Sequence, residues 1–116
     1  MSPVVFAVLL LALTVPSIVM LVGTKQAAAG TLGRNGSMGI RVRPVTDSDE
    51  NWVKGHKAAI GAATLSVSLQ VVLAIVGIAA YVLVGEQAGL VVALIMPMVM
   101  VGTLGLAVVK ARAACS

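Results

Sequence analysis

The side chains that could do chemistry are few and stand close together: Arg41, Arg43, Asp47, Asp49, Glu50, Trp52 and His56, with the lone Cys115 far away near the C-terminus. A general base needs a partner to orient it and a reacting group within reach. His56 has no cysteine and no serine elbow near it in sequence. Asp49 and Glu50 are adjacent, so on a helix they diverge by about 100° and cannot face one another. His56 is therefore expected as an interfacial residue on an exposed or loop-packed helix face, and the chain is not expected to be an enzyme. Met96, Met98 and Met100 form a thioether run of the kind that suits copper(I). On a helix the middle one points about 200° from its neighbours, so only Met96 and Met100 share a face. With no His or Cys beside them, packing is their expected role, and no metal or other cofactor is expected. One cysteine excludes an internal disulfide and a cysteine metal cluster. Cys115 stands where S-acylation can occur, but an unmodified thiol is the expectation.

All these polar groups except Cys115 fall in an island, Thr24 to Lys57, between apolar stretches. The chain of 116 residues is 59% hydrophobic and 10% charged, with a mean hydropathy of +1.09. A soluble domain carries about 25% charged residues. So few charges could not cover so much apolar surface in water, and an integral membrane protein follows. Three runs contain no charged side chain: Pro3–Gly23, Ala58–Val84 and Leu90–Val109. Roughly 20 apolar residues, rising 1.5 Å each, cross the hydrocarbon core. The expected architecture is all-α, one membrane domain over residues 1–116 with three transmembrane helices. The second run is long enough that it must tilt or begin in the headgroup layer. Ion pumps and proton-coupled carriers need ionisable groups at membrane depth; their absence from all three spans argues against a self-sufficient transporter.

Ala27-Ala28-Ala29 offers a small-residue cleavage pattern, but Met1 and Ser2 supply no basic n-region and the apolar run exceeds a signal peptide's core. A retained span is expected. In the island, Lys25, Arg34, Arg41, Arg43, Lys54 and Lys57 outnumber Asp47, Asp49 and Glu50, and the tail adds Lys110 and Arg112. Three spans put island and tail on one side, with the N-terminus and the Glu86 turn on the other. The positive-inside rule makes the basic side cytoplasmic, so the N-terminus is expected outside and the C-terminus inside.

Within span one, Pro16 removes a backbone donor and predicts a kink, with nearby hydroxyls or helices satisfying the freed carbonyl. Residues Thr24 to Ser37 are expected as a flexible or turn-rich loop. Ser48 and Asp49 are good N-cap residues, and Asp49 and Glu50 suit a helix start. A helix from about Asp49 should run on through Lys57 into the second span, placing Trp52 at the headgroup level. Arg41 or Arg43 could pair with Asp49 or Glu50, while Thr46 or Ser48 caps the helix. Further along, Ala58, Ala62, Ser66 and Gln70 recur every four residues, as do Gly55, Ala59 and Ala63. Such ladders let membrane helices approach closely, and Gln70 can hydrogen-bond across the contact. Span three carries Pro97, Gly102 and Gly105, which suggest a bend and a further close contact.

Asn35, Gly39, Ile40, Arg41, Thr46, Ser48, Asp49, Glu50, Trp52, His56 and Lys57, taken in order, resemble the hallmark of the SdpI family of bacterial membrane proteins. That hallmark is similar to Asn-x-x-x-Gly-Ile-Arg-Thr, a Thr, then Ser-(Asp/Asn)-Glu-x-Trp-x-x-x-His-Lys/Arg leading into a transmembrane helix. Val42 departs from the family's Thr, and Arg43-Pro44 replaces a more apolar stretch. The resemblance implies protection against a secreted toxic peptide, with membrane capture of a cognate repressor.

Two functions are carried forward. In the first, a non-enzymatic inner-membrane protein of the immunity or signalling type uses Asn35, Gly39, Arg41, Arg43, Thr46, Ser48, Asp49, Trp52 and His56 to bind a soluble regulator or support toxin resistance. In the second, the chain is a small accessory subunit of a larger membrane complex, a transporter or respiratory assembly. The lipid bilayer is a partner in both, a homo-oligomer is compatible with both, and nucleic acid is excluded: the island has one aromatic residue, three acids and no docking motif.

Overall fold

Ser2 opens the first helix by accepting a hydrogen bond from the Val5 amide at 3.2 Å, with Pro3 in the first helical position, where a missing donor costs nothing. In the computed structural model, which describes residues 1–116, the helices are α1 (Pro3–Ala28), α2 (Asp49–Leu83) and α3 (Glu86–Cys115). A single 3-10 turn, Val45–Asp47, lies in the long α1–α2 connection. All three helices are long and apolar enough to cross a membrane, and large apolar side chains such as Val4, Leu11, Val82, Leu94 and Val101 are exposed on their outer faces. In a bilayer those faces meet lipid, and the backbone polar groups are satisfied within each helix.

The helices overrun the apolar runs. Helix α1 continues five residues past Gly23, so Thr24 to Ala28 are helical rather than loop, and Ala27 and Ala28 are buried. Pro16 sits inside it. The nearby hydroxyls do not serve the carbonyl that Pro16 leaves without a donor: Thr14 donates to the Leu10 carbonyl at 2.8 Å and Ser17 to the Thr14 carbonyl at 2.7 Å. Helix α2 has 35 residues, about 52 Å at 1.5 Å per residue, against a hydrocarbon core of roughly 30 Å. Its first turns therefore project beyond the apolar layer, and these turns carry Trp52 and His56.

Helices α2 and α3 form an antiparallel hairpin joined at Gly85, whose φ of +146° is a conformation open to glycine and strained for other residues. Small side chains let the two approach. Ala59, Ala62, Ala107 and Ala111 belong to one buried cluster, and Ala63 is fully buried. Ser66 meets Thr103 at 2.7 Å, and Gln70 Nε2 donates to the Met96 carbonyl at 2.8 Å. Ala58 lies elsewhere: it is exposed, one step round the helix from the seam, because Gly55, Ala59 and Ala63 take the closest approach. Of the methionines, Met96 is buried, Met98 faces outward, and Met100 receives the Ser66 hydroxyl at its sulfur. Helix α1 packs along α2, stacking Phe6 on Tyr81 with ring centroids 4.6 Å apart. At that same end the N-terminal ammonium pairs with Glu86 at 3.0 Å.

Gln70 makes one hydrogen bond, and its Oε1 is buried without a partner. The bond gained, about 0.6 kcal/mol in membrane cycles, is offset by that orphaned acceptor. Gln70→Met is therefore expected to change stability by less than about 1 kcal/mol, whereas Ala63→Leu overpacks the seam and should cost about 1–3 kcal/mol. Thermal unfolding of both variants in one detergent checks the contrast; a large loss in Gln70→Met would contradict it.

Candidate functional site

The α1–α2 connection folds back over the first two turns of α2. Ser48 caps that helix, its hydroxyl accepting from the Asn51 amide at 3.0 Å, and the Asn51 side chain donates to the Pro44 carbonyl at 3.1 Å. Thr46 does not cap; its carbonyl instead accepts from Arg34 at 3.2 Å. The Arg43–Pro44 peptide is cis. Val45, the one fully buried side chain of the connection, presses on Gly55, where an added Cβ would lie 3.1 Å from it and 3.3 Å from Cys115 Sγ. Cys115 in turn donates to the Asn51 carbonyl at 3.2 Å, so the end of α3 is docked on the start of α2.

Trp52 is the centre of the site, and its ring is buried within the protein rather than turned outward to the headgroups. It is 2% exposed, and its indole N–H donates to the Leu32 carbonyl at 2.7 Å. The loop thus covers the ring and supplies the acceptor that water would have given at the headgroup level. His56, one turn on, packs against Trp52 with centroids 4.2 Å apart. Its Nε2 accepts from the Ile40 amide at 2.9 Å, and its Nδ1 lies 2.7 Å from the Trp52 carbonyl. An amide can only donate and a carbonyl can only accept, so the ring is neutral with its proton on Nδ1. His56 precedes the apolar run that begins at Ala58. Burial holds its pKa below the usual 6.5, the Trp52 carbonyl opposes that shift, and the nearby Arg41 charge adds to it.

Gly39 makes this packing possible. Its φ is +103°, and a Cβ there would sit 2.5 and 2.7 Å from the Trp52 ring and 3.0 Å from His56 Nε2. Ile40 follows and is buried in the same cluster as Val45 and Trp52. Arg41 lies over the outer face of the indole, its guanidinium carbon 5.2 Å from the ring centroid, and donates to the carbonyls of Met38 and Arg34.

The ion pairs differ from expectation. Asp49 pairs with Arg34 at 2.8 Å, not with Arg41 or Arg43, and Arg43 pairs with Asp47 at 2.9 Å. Both pairs are largely exposed and worth under about 1 kcal/mol each. Arg34 also holds the Thr46 carbonyl, so it ties the two ends of the loop together. Its partner was hidden in sequence because the pairing spans 15 residues of irregular chain. Val45 did carry a signal, being an apolar residue set between Pro44 and the polar run Thr46 to Asn51. Asn35 is exposed and makes no hydrogen bond within the chain, and Arg43 and Glu50 are exposed too. The structure thus brings Gly39, Arg41, Trp52 and His56 into one stack, joins Ser48 and Asp49 to it through the cap and Arg34, and leaves Asn35 and Arg43 on the rim.

No nucleophile or second ionisable group is hydrogen-bonded to His56, and no group of three or more His, Cys, Asp or Glu side chains converges. What the arrangement does is hold a loop rigidly against a helix end.

The SdpI/YfhL protein family matches residues 31–109, which take in the whole loop stack, α2 and most of α3 and leave α1 outside. No curated protein and no solved structure matches the chain. A match across well over half of the sequence, centred on the Gly39–Trp52–His56 stack and the hairpin beneath it, places this multi-pass membrane protein in the SdpI/YfhL family.

Proposed function

We propose that the protein is a non-enzymatic bacterial inner-membrane protein of the immunity or signalling type, whose docked Asn35–His56 loop faces the cytoplasm and presents a polar rim to a protein partner. One observation carries this reading: Trp52 and His56, the most distinctive side chains of the motif, are turned inward and fix the loop, while Asn35, Arg41 and Arg43 remain exposed. A preorganised loop binds with less ordering cost than a flexible one. The basic side of the chain is the side that the positive-inside rule keeps in the cytoplasm. Apart from the exposed Ala58, the small-residue ladder on α2 is taken up within the molecule, so the ladder by itself gives less support to the accessory-subunit alternative.

The test is tolerance of a membrane-active peptide toxin in a susceptible strain. The wild-type chain should protect, and a triple variant carrying Asn35→Ala, Arg41→Ala and Arg43→Ala should lose protection while still inserting in the membrane. Full protection by that variant would defeat the reading. Extraction in mild detergent as part of a large stable complex would favour the accessory role instead.

A further inference from the structure

Below the loop, the second half of α1 and the C-terminal half of α3 stand apart and leave an open-sided cleft of about 360 Å³. Its walls are Val19, Met20 and Gly23 on one side and Met100 and Leu104 on the other, and the backbone from Met38 to Val42 roofs it. The volume is within the roughly 300–1,000 Å³ of small-ligand pockets. The lining is apolar with two exceptions. Thr24 has its hydroxyl committed to the Met20 carbonyl at 2.7 Å. Arg41, at the roof, is the single charged group.

Arg41 is also the one loop guanidinium without a carboxylate, since Arg34 and Arg43 are paired with Asp49 and Asp47. It is held in place by the Trp52 ring and the carbonyls of Met38 and Arg34, none of which neutralises it. We propose that the cleft binds one anionic membrane phospholipid, with an acyl chain between α1 and α3 and the phosphate at Arg41. A soluble anion would leave the apolar walls unused, an uncharged lipid would leave the guanidinium uncompensated, and a zwitterionic lipid brings its own cation to the phosphate and gains less from Arg41. Basic residues at the membrane end of a helix crevice are suited to phosphate headgroups. The inference goes beyond the proposed function and needs no protein partner.

Native mass measurement of the full chain released from vesicles of equal phosphatidylglycerol and phosphatidylcholine tests it. One phosphatidylglycerol per chain should be retained in preference to phosphatidylcholine. Arg41→Gln should reduce that preference roughly fivefold, the effect of one basic residue on an anionic headgroup. Arg41→Lys should keep it, and Lys54→Gln, exposed and away from the cleft, should leave it unchanged. Gly23→Leu fills the cleft toward Met38, whose methyl is 3.5 Å from the position of an added Cβ, and should abolish retention of either lipid. Leu104→Phe fills it from the other wall and serves if Gly23→Leu does not fold. Glycerol phosphate, the headgroup without a chain, should not displace the lipid. Equal retention of the two lipids, retention indifferent to Arg41→Gln and to both filling variants, displacement by glycerol phosphate, or a lipid-free dimer would each overturn the proposal.

Discussion

Gly39→Val should release the loop from α2. The substitution forces a β-branched residue to a φ of +103° and puts its Cβ within 2.7 Å of two atoms of a ring that is itself buried. Strained backbone costs about 1–3 kcal/mol, and overpacking adds a similar amount. Trp52 cannot yield, because its N–H is tied to the Leu32 carbonyl and its other side is against His56. The loop must therefore lift, and the helices, held by the α2–α3 seam, stay. Trypsin reports this directly through cleavage after Arg34 and Arg41, with the rate tracking the open population. A penalty of about 2–4 kcal/mol raises that rate by roughly 30-fold or more. Trp52, the only tryptophan, should shift its emission to the red as it meets water. Unchanged cleavage and emission in Gly39→Val would mean that the loop does not depend on this packing.

Acid should open the same loop in the unsubstituted protein. His56 Nε2 is an acceptor for the Ile40 amide, and protonation turns it into a second donor facing the first. Burial lowers the folded pKa below 6.5, so the undocked loop takes up a proton at a pH where the docked one does not. Docking stability is therefore complete above about 6.5 and falls as pH drops below it toward the folded pKa. Cleavage after Arg41 and Trp52 emission, followed from about pH 8 to about pH 5, should show that loss. His56→Leu removes the titration and strands the Ile40 amide, costing about 1–3 kcal/mol at every pH. A loop that opens with the same pH profile in His56→Leu would assign the transition to another group.

The sequence made the three helices legible because unbroken apolar runs, the Ser48 cap and the acidic first turn of α2 are local signals, and each acts within a few residues. The helix ends were less legible: α1 and α3 continue past their apolar runs because the loop and the start of α2 cover Ala27, Ala28 and Ala111. The site was legible as a cluster but not as a geometry. Helical spacing put Trp52 and His56 on one face, and said nothing of the segment that would cover it. Trp52 was accordingly expected at the lipid headgroups, and Arg34 went unassigned although it closes the loop. The polarity of the loop marks its surface position, while the long-range pairings Leu32–Trp52 and Ile40–His56 are set by how the chain turns at Gly39.

Helix α2 runs from Asp49 to Leu83 without a proline. It carries the stack at one end and Tyr81, against Phe6, at the other. It is a rod without a joint. A displacement imposed at the Tyr81 end is carried along the helix to Trp52 and His56, and the loop, bonded to those two side chains through Leu32 and Ile40, travels with them. The two bonds that seal the loop therefore make its outer surface an extension of α2, so that the far end of the helix and the exposed rim of the loop move as one body.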